Sequence, residues 1–164
     1  MSKVFVIHEN SEWLPPFADA LDVEGVAWEE WYLVEGALDL DAAPPEGVFY
    51  SRMSASSHTR GHVAAKDYTR SVLSWLESYG RVVVNGRRVV EMEMSKIDQH
   101  TALRAFGFDV PSTVAVIGRH DLKTRARGMV LPFITKHNQG GKGLGVRRFD
   151  RFEDFDDYVD ESDF

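Results

Sequence analysis

The stretch LPFITKHNQGGKGLGVRRFD, residues 131–150, gathers residue types that can hold an anion. A short apolar run ends at Lys136, and glycines follow at 140, 141, 143 and 145. Side chains alternate along an extended chain, so Ile134 and Lys136 share a face and set an apolar platform beside a positive charge. Glycine adds no Cβ bulk and accepts positive φ, so the backbone N–H groups of Asn138, Gln139, Gly140, Gly141, Lys142, Gly143 and Gly145 can come close to a ligand. Clustered amides of this kind form an anion-binding nest. An ammonium about 4 Å from a phosphate oxygen gains roughly 4 kcal/mol of raw Coulomb energy at an effective dielectric near 20, before desolvation is charged against it. A phosphate carried by a nucleotide suits this chemistry; a plain hairpin turn would also suit the glycines. Two familiar phosphate motifs are excluded. Lys142 is followed by Gly143 rather than Ser or Thr, and no G-x-G-x-x-G run opens a helix.

A second group follows the predicted strands of the first half. His8, with Glu9 and Asn10, comes after the first strand, Arg52 after the third and Asn85 after the fourth. Ligands of open α/β sheets gather at the carboxyl ends of strands, so these three are candidates for binding an acceptor substrate; loop capping and surface charge are the alternative. His58 and His62 are four apart, but Gly61 lies between them and the Glu of H-E-x-x-H is missing. They are expected to be exposed loop histidines rather than metal ligands. The serines of SASSH lack a G-x-S-x-G frame. The four tryptophans fall in helix or strand patterns and read as packing residues.

The elements that must position these residues follow from periodicity and breakers. Strands are expected at 3–9, 26–34, 48–51 and 81–86, and helices at 13–25 and 62–80, the second ended by Gly80. Val63, Tyr68, Val72, Trp75 and Leu76 mark the apolar side of that helix. The order β-α-β-β-α-β predicts a three-layer α/β domain with a mainly parallel sheet over residues 1–90. Residues 91–164 change pattern. A helix is expected at 95–107 with Ser95 as its N-cap, then strands at 112–118, 131–137 and 144–149. This part reads as α+β, a helix with an antiparallel sheet. It closes on an acidic helix whose apolar edge is Phe152, Phe155 and Val159.

Composition sets the outer limits. The 164 residues are 43% hydrophobic and 27% charged, which is ordinary for an ordered globular chain. The net charge is −7, and residues 151–164, with seven acids and one arginine, carry most of it. The remainder is near neutral and offers no basic surface for nucleic acid or an anionic membrane. No apolar run approaches the ~20 residues of a membrane span, and the N-terminal apolar run is too short for a signal peptide. The absence of cysteine removes thiolate chemistry and fits a reducing, cytoplasmic setting.

With these residues in view, TKHNQGGKGLGV resembles the phosphate loop of the ATP-grasp superfamily, K-x-x-x-G-x-x-G-x-G-V, filled by Lys136, Gly140, Gly143, Gly145 and Val146. SKIDQHTALRAFGFDVP is similar to the family segment in which a lysine precedes a helix, here Lys96, followed by Leu103, Gly107 and Pro111. VFYSRMSASSHTRG, with Arg52, and Asn85 after the fourth strand are similar to the RimK-like glutamate ligases and glutathione-synthetase-like enzymes. The resemblance implies an N-terminal pre-ATP-grasp domain followed by the small ATP-grasp subdomain. It implies an ATP-dependent carboxylate–amine ligase working through an acyl-phosphate, joining an amino acid such as glutamate to a peptide or amino acid. Lys96 and Lys136 would contact the α- and β-phosphates, and residues 138–145 would close over the β- and γ-phosphates.

The family pattern continues with a second subdomain bearing the acids and asparagine that bind magnesium, and these are not in the 164 residues. The expectation is therefore an N-terminal portion of a longer ligase, inactive by itself, with ATP and Mg2+ as cofactors of the whole. Its expected partners are ATP and a small carboxylate or amine substrate. The surface left uncovered would favour homo-oligomers. A stand-alone nucleotide-binding or protein-interaction module is the rival reading.

Overall fold

The structure, a computed structural model, describes residues 3–139, 143 and 145–162. The chain forms two compact units, Met1–Ser95 and Lys96–Phe164.

The first unit is built on four parallel strands in the order β2-β1-β3-β4: β1 Val4–His8, β2 Trp28–Tyr32, β3 Val48–Ser51 and β4 Val82–Val84. Val4 pairs with Trp28 on one side and with Val48 on the other, and Val48 pairs with Val82. Helix α1, Pro15–Val23, opens on two prolines in its first turn, where a missing N–H costs nothing. Helix α2 spans Ala65–Ser78. Its Val72, Leu73 and Leu76 are buried with Phe5, Ile7 and Phe49 on one face of the sheet. On the other face Phe17 of α1 packs on Tyr50, ring centroids 4.9 Å apart. Helices thus cover both faces, which gives three layers. Val63, expected on the apolar side of α2, precedes the helix and is exposed.

Helix α3, Arg87–Met94, was not legible in the sequence. Glu77 Oε1 accepts the Arg87 N–H at 2.9 Å, and Val90 and Met94 enter the core of the first unit. A Cβ on Gly86 would lie 2.6 Å from that same Oε1, so glycine makes room for the cap.

The second unit holds α4 Lys96–Ala105, α5 Leu122–Ala126, β5 Phe133–Thr135, β6 Arg147–Phe149 and α6 Phe152–Glu161. Strands β5 and β6 are antiparallel, with Phe133 opposite Phe149 and Ile134 opposite Arg148. Phe133, Phe149, Phe155, Val159 and Ala126 form its core. The acidic face of α6 is solvated and paired: Asp156 meets Arg127, and Asp160 meets Lys123. The strand expected at 112–118 is absent. Residues 108–117 take no regular structure and are almost all exposed. The β-branched residues there favour extended chain, but a strand exists only where a neighbour accepts its hydrogen bonds, and no neighbour among the described residues does so.

Candidate functional site

In the second unit the fold joins the two lysine segments that the sequence separates by 40 positions. The backbone C=O of Asn138 accepts the Lys96 N–H at 3.0 Å, and Asn138 Oδ1 accepts the Ile97 N–H at 2.9 Å. One residue therefore occupies both amides at the start of α4. Ser95, expected to be the cap, directly precedes α4 in the extended conformation usual for that position. Asn138 stands two residues after Lys136, so the start of α4 and the stem of the glycine loop are neighbours. No ion pair engages either Lys96 or Lys136 among the described residues.

The loop itself is described in part. Gly140, Gly141 and Lys142 lie outside the described residues. Gly143 and Gly145 both have positive φ, 72° and 73°, and the Val146 N–H donates to the Gly143 C=O at 3.2 Å. A Cβ on Gly145 would stand 2.4 Å from Cδ2 of His137, so this glycine is required for space as well as for φ. Lys136, Asn138 and Gln139 are exposed. Phe133 turns into the core, while Ile134 on the opposite face is 56% exposed. The apolar platform and the ammonium predicted for this strand are thus both open to solvent.

In the first unit His8, Arg52 and Asn85 fall at the carboxyl ends of β1, β3 and β4. The Arg52 N–H donates to the Ile7 C=O, and Asn85 Nδ2 donates to the Ser51 C=O at 3.2 Å. Asn85 is the one described non-glycine with positive φ, 55°, a conformation asparagine tolerates. His8 is only 2% exposed. Its Nε2 lies 2.9 Å from Glu30 Oε1, and its Nδ1 is buried without a partner. Arg52 donates to the Trp13 C=O and stacks over Phe17.

Sequence reasoning missed the most buried charge of this edge. Glu9 is 0% exposed, and its carboxylate is held by Arg60 through Nε and Nη2 and by His62 Nδ1 at 2.9 Å. Burial would raise the Glu9 carboxyl, but hydrogen bonds and charge from Arg60 and His62 outweigh it and hold it below its ordinary value. The partners are 51 and 53 residues away in sequence, so no local spacing announced them. The expectation for His62 is corrected: it is half-buried and bonded to Glu9 rather than free in a loop. His58 is exposed, as expected. Among the described residues no group of three His, Asp or Glu side chains could hold a metal ion.

The parallel sheet, the small antiparallel hairpin and their order together define the fold class: it is the fold of ATP-grasp proteins, over part of their length. The chain superposes on a RimK-domain ATP-grasp protein from Sphaerobacter thermophilus with a TM-score of 0.70 and 15% identity, covering 97% of this chain and 58% of that one. It superposes on the ATP-grasp ligase PsnB, solved with a minimal precursor, at 0.64 and 19% identity, covering 97% and 60%. The match to N5-carboxyaminoimidazole ribonucleotide synthetase from Thermotoga maritima is 0.60 at 18%, covering 96% and 43%. The chain thus spans about half the length of these structures. No protein-family model matches its sequence, and no curated protein matches it in sequence.

Proposed function

We propose that this chain is the ATP-phosphate-binding and acceptor-binding portion of an ATP-dependent carboxylate–amine ligase that works through an acyl-phosphate. The reading rests above all on Asn138, which ties the stem of a glycine loop to the first turn of α4 and so sets Lys96 beside the segment bearing Lys136. Two lysines that form no ion pair among the described residues, on segments joined by Asn138, suit a polyphosphate. The exposed Ile134 and Val146 supply apolar surface for a base. Such catalysis is mostly positioning and charge neutralisation, which amides and ammoniums provide. His8, Arg52 and Asn85 mark the acceptor end of the first unit's sheet. An amino acid such as glutamate, joined to a peptide or amino acid, is the proposed substrate pair.

PsnB has been solved with magnesium and ADP, and we assign Mg2+-ATP to the whole enzyme. No described cluster of this chain suits the metal, so no step is assigned to it here. The compartment proposed is the cytoplasm; among the described residues no helix is long and apolar enough to cross a membrane.

Calorimetric titration of Mg2+-ATP tests the reading. Lys136→Ala and Lys96→Ala should each weaken binding about tenfold or more, the loss of one partly screened charge pair. Equal affinity in wild type and both variants would defeat it. The 164-residue chain alone should show no ligase turnover, and product formation at an ordinary enzymatic rate would overturn that part.

A further inference from the structure

The pairing of Glu9 with His62 has a chemical consequence beyond holding a loop in place. An ionised carboxylate only accepts hydrogen bonds, so His62 Nδ1, 2.9 Å from Glu9 Oε2, carries the proton. In the neutral ring the lone pair then resides on Nε2. That nitrogen has no partner among the described residues, and the side chain keeps 23% of its surface open. Arg60 donates to the same carboxylate through Nε and Nη2, so Glu9 keeps a cation beside it in either state of the His62 ring. The other groups facing this ring are Tyr32, edge-on with centroids 6.1 Å apart, and beyond it His8, whose ring lies 5.5 Å from Tyr32 and whose Nε2 faces Glu30.

A carboxylate that fixes one imidazole nitrogen and leaves the other basic and accessible is the arrangement of an oriented general base. We propose that His62 accepts the proton of an amine bound at the carboxyl edge of the β1–β4 sheet, with Glu9 as its positioning residue. This rests on the ligase reading. There the amine nitrogen forms the bond to the acyl carbon, its proton passes to His62 Nε2, and the phosphate leaves with the electron pair of the broken C–O bond.

The test is nitrogen-15 NMR of the imidazole rings in the intact chain, with glycinamide as the amine probe. At pH 7.5 His62 should show a protonated Nδ1 and an unprotonated Nε2. Glycinamide should shift the Nε2 resonance saturably. Glu9→Gln should move the ring toward the Nε2–H tautomer and abolish the glycinamide response. A wild-type ring protonated on Nε2, or an Nε2 that ignores glycinamide, overturns the proposal, and both readings need no variant to fold. A ring that behaves as expected in a protein whose ATP affinity ignores Lys136→Ala would sink the ligase reading and leave the amine site standing. Intact ATP binding with an unresponsive ring would do the reverse.

Discussion

Two glycines of the loop between β5 and β6 have nearly the same φ but different surroundings, and the difference is measurable. Gly143 has open space where a Cβ would go, so Gly143→Ala meets only the left-handed backbone, a cost of about 1 kcal/mol. Gly145→Ala meets the same backbone cost and drives a methyl into the ring of His137, so it should cost more, about 2 kcal/mol. Because His137 is an exposed side chain that can swing aside, the double change Gly145→Ala with His137→Ala should return close to the Gly143→Ala value. Urea unfolding of the three variants reads this, and a double variant as unstable as Gly145→Ala alone would show that the ring is not the obstacle. Glu9 carries a pH signature at the same scale. Its carboxyl is held below the ordinary 4.5 by Arg60 and His62 against the opposing effect of burial. A depressed carboxyl contributes stability above its unfolded value and loses it as pH falls through the folded one. Wild type should therefore lose stability steeply below about pH 4.5, while Glu9→Gln, less stable at neutral pH because Arg60 is left unmatched, should show a flatter profile there. Parallel slopes in unfolding measured from pH 5 to 3 would contradict the assignment.

At the scale of elements, α4 depends on its cap. None of its residues is buried, so side-chain packing adds little, and Asn138 supplies acceptors for two of its first amides. Asn138→Ala keeps the backbone bond to Lys96 but loses the side-chain bond to Ile97. It should cost about 1 kcal/mol and speed hydrogen exchange at the Ile97 amide; Asn138→Asp should restore most of the protection. Unchanged exchange at Ile97 in Asn138→Ala would remove the cap from the account. The cap also shows where sequence reading stops. The parallel sheet was legible because short Val- and Ile-rich runs alternated with helix-length polar segments. The β5–β6 hairpin was legible because glycines separated two apolar runs. Asn138 as a cap was not legible, since its partners lie 41 positions away. Helix α3 was hidden because Val89 and Val90 weaken a helical pattern whose cap comes from Glu77, ten residues upstream. Residues 112–118 misled in the other direction. Their β-branched side chains signal a strand, but propensity cannot supply the neighbour that a strand requires. Of the candidate site, residue types and order were readable, while the ion pairs around Glu9 were a product of topology alone.

For the molecule as a whole, the two units differ in how much they bury. Among the described residues the first unit encloses a core of twelve side chains, including Phe5, Phe49 and Leu76, while that of the second has five. The second unit instead leaves large apolar side chains in water: Phe106 is 73% exposed, Ile117 87% and Val130 86%, with Phe108 and Leu103 also exposed. Large apolar side chains left in water favour association where they gather into a patch, and the chain spans only about half of the ATP-grasp structures it resembles. If these side chains are solvated in the monomer, removing them cannot create a cavity. Phe106→Ser combined with Ile117→Ser should then change the urea-unfolding free energy by less than about 0.5 kcal/mol, the range of surface substitutions. Sedimentation velocity of the wild-type chain should show concentration-dependent self-association, and the same pair should lower it. A loss of about 2 kcal/mol or more would instead mean that these residues are packed, since a cost of that size is characteristic of emptying a core, and they would not be the source of association.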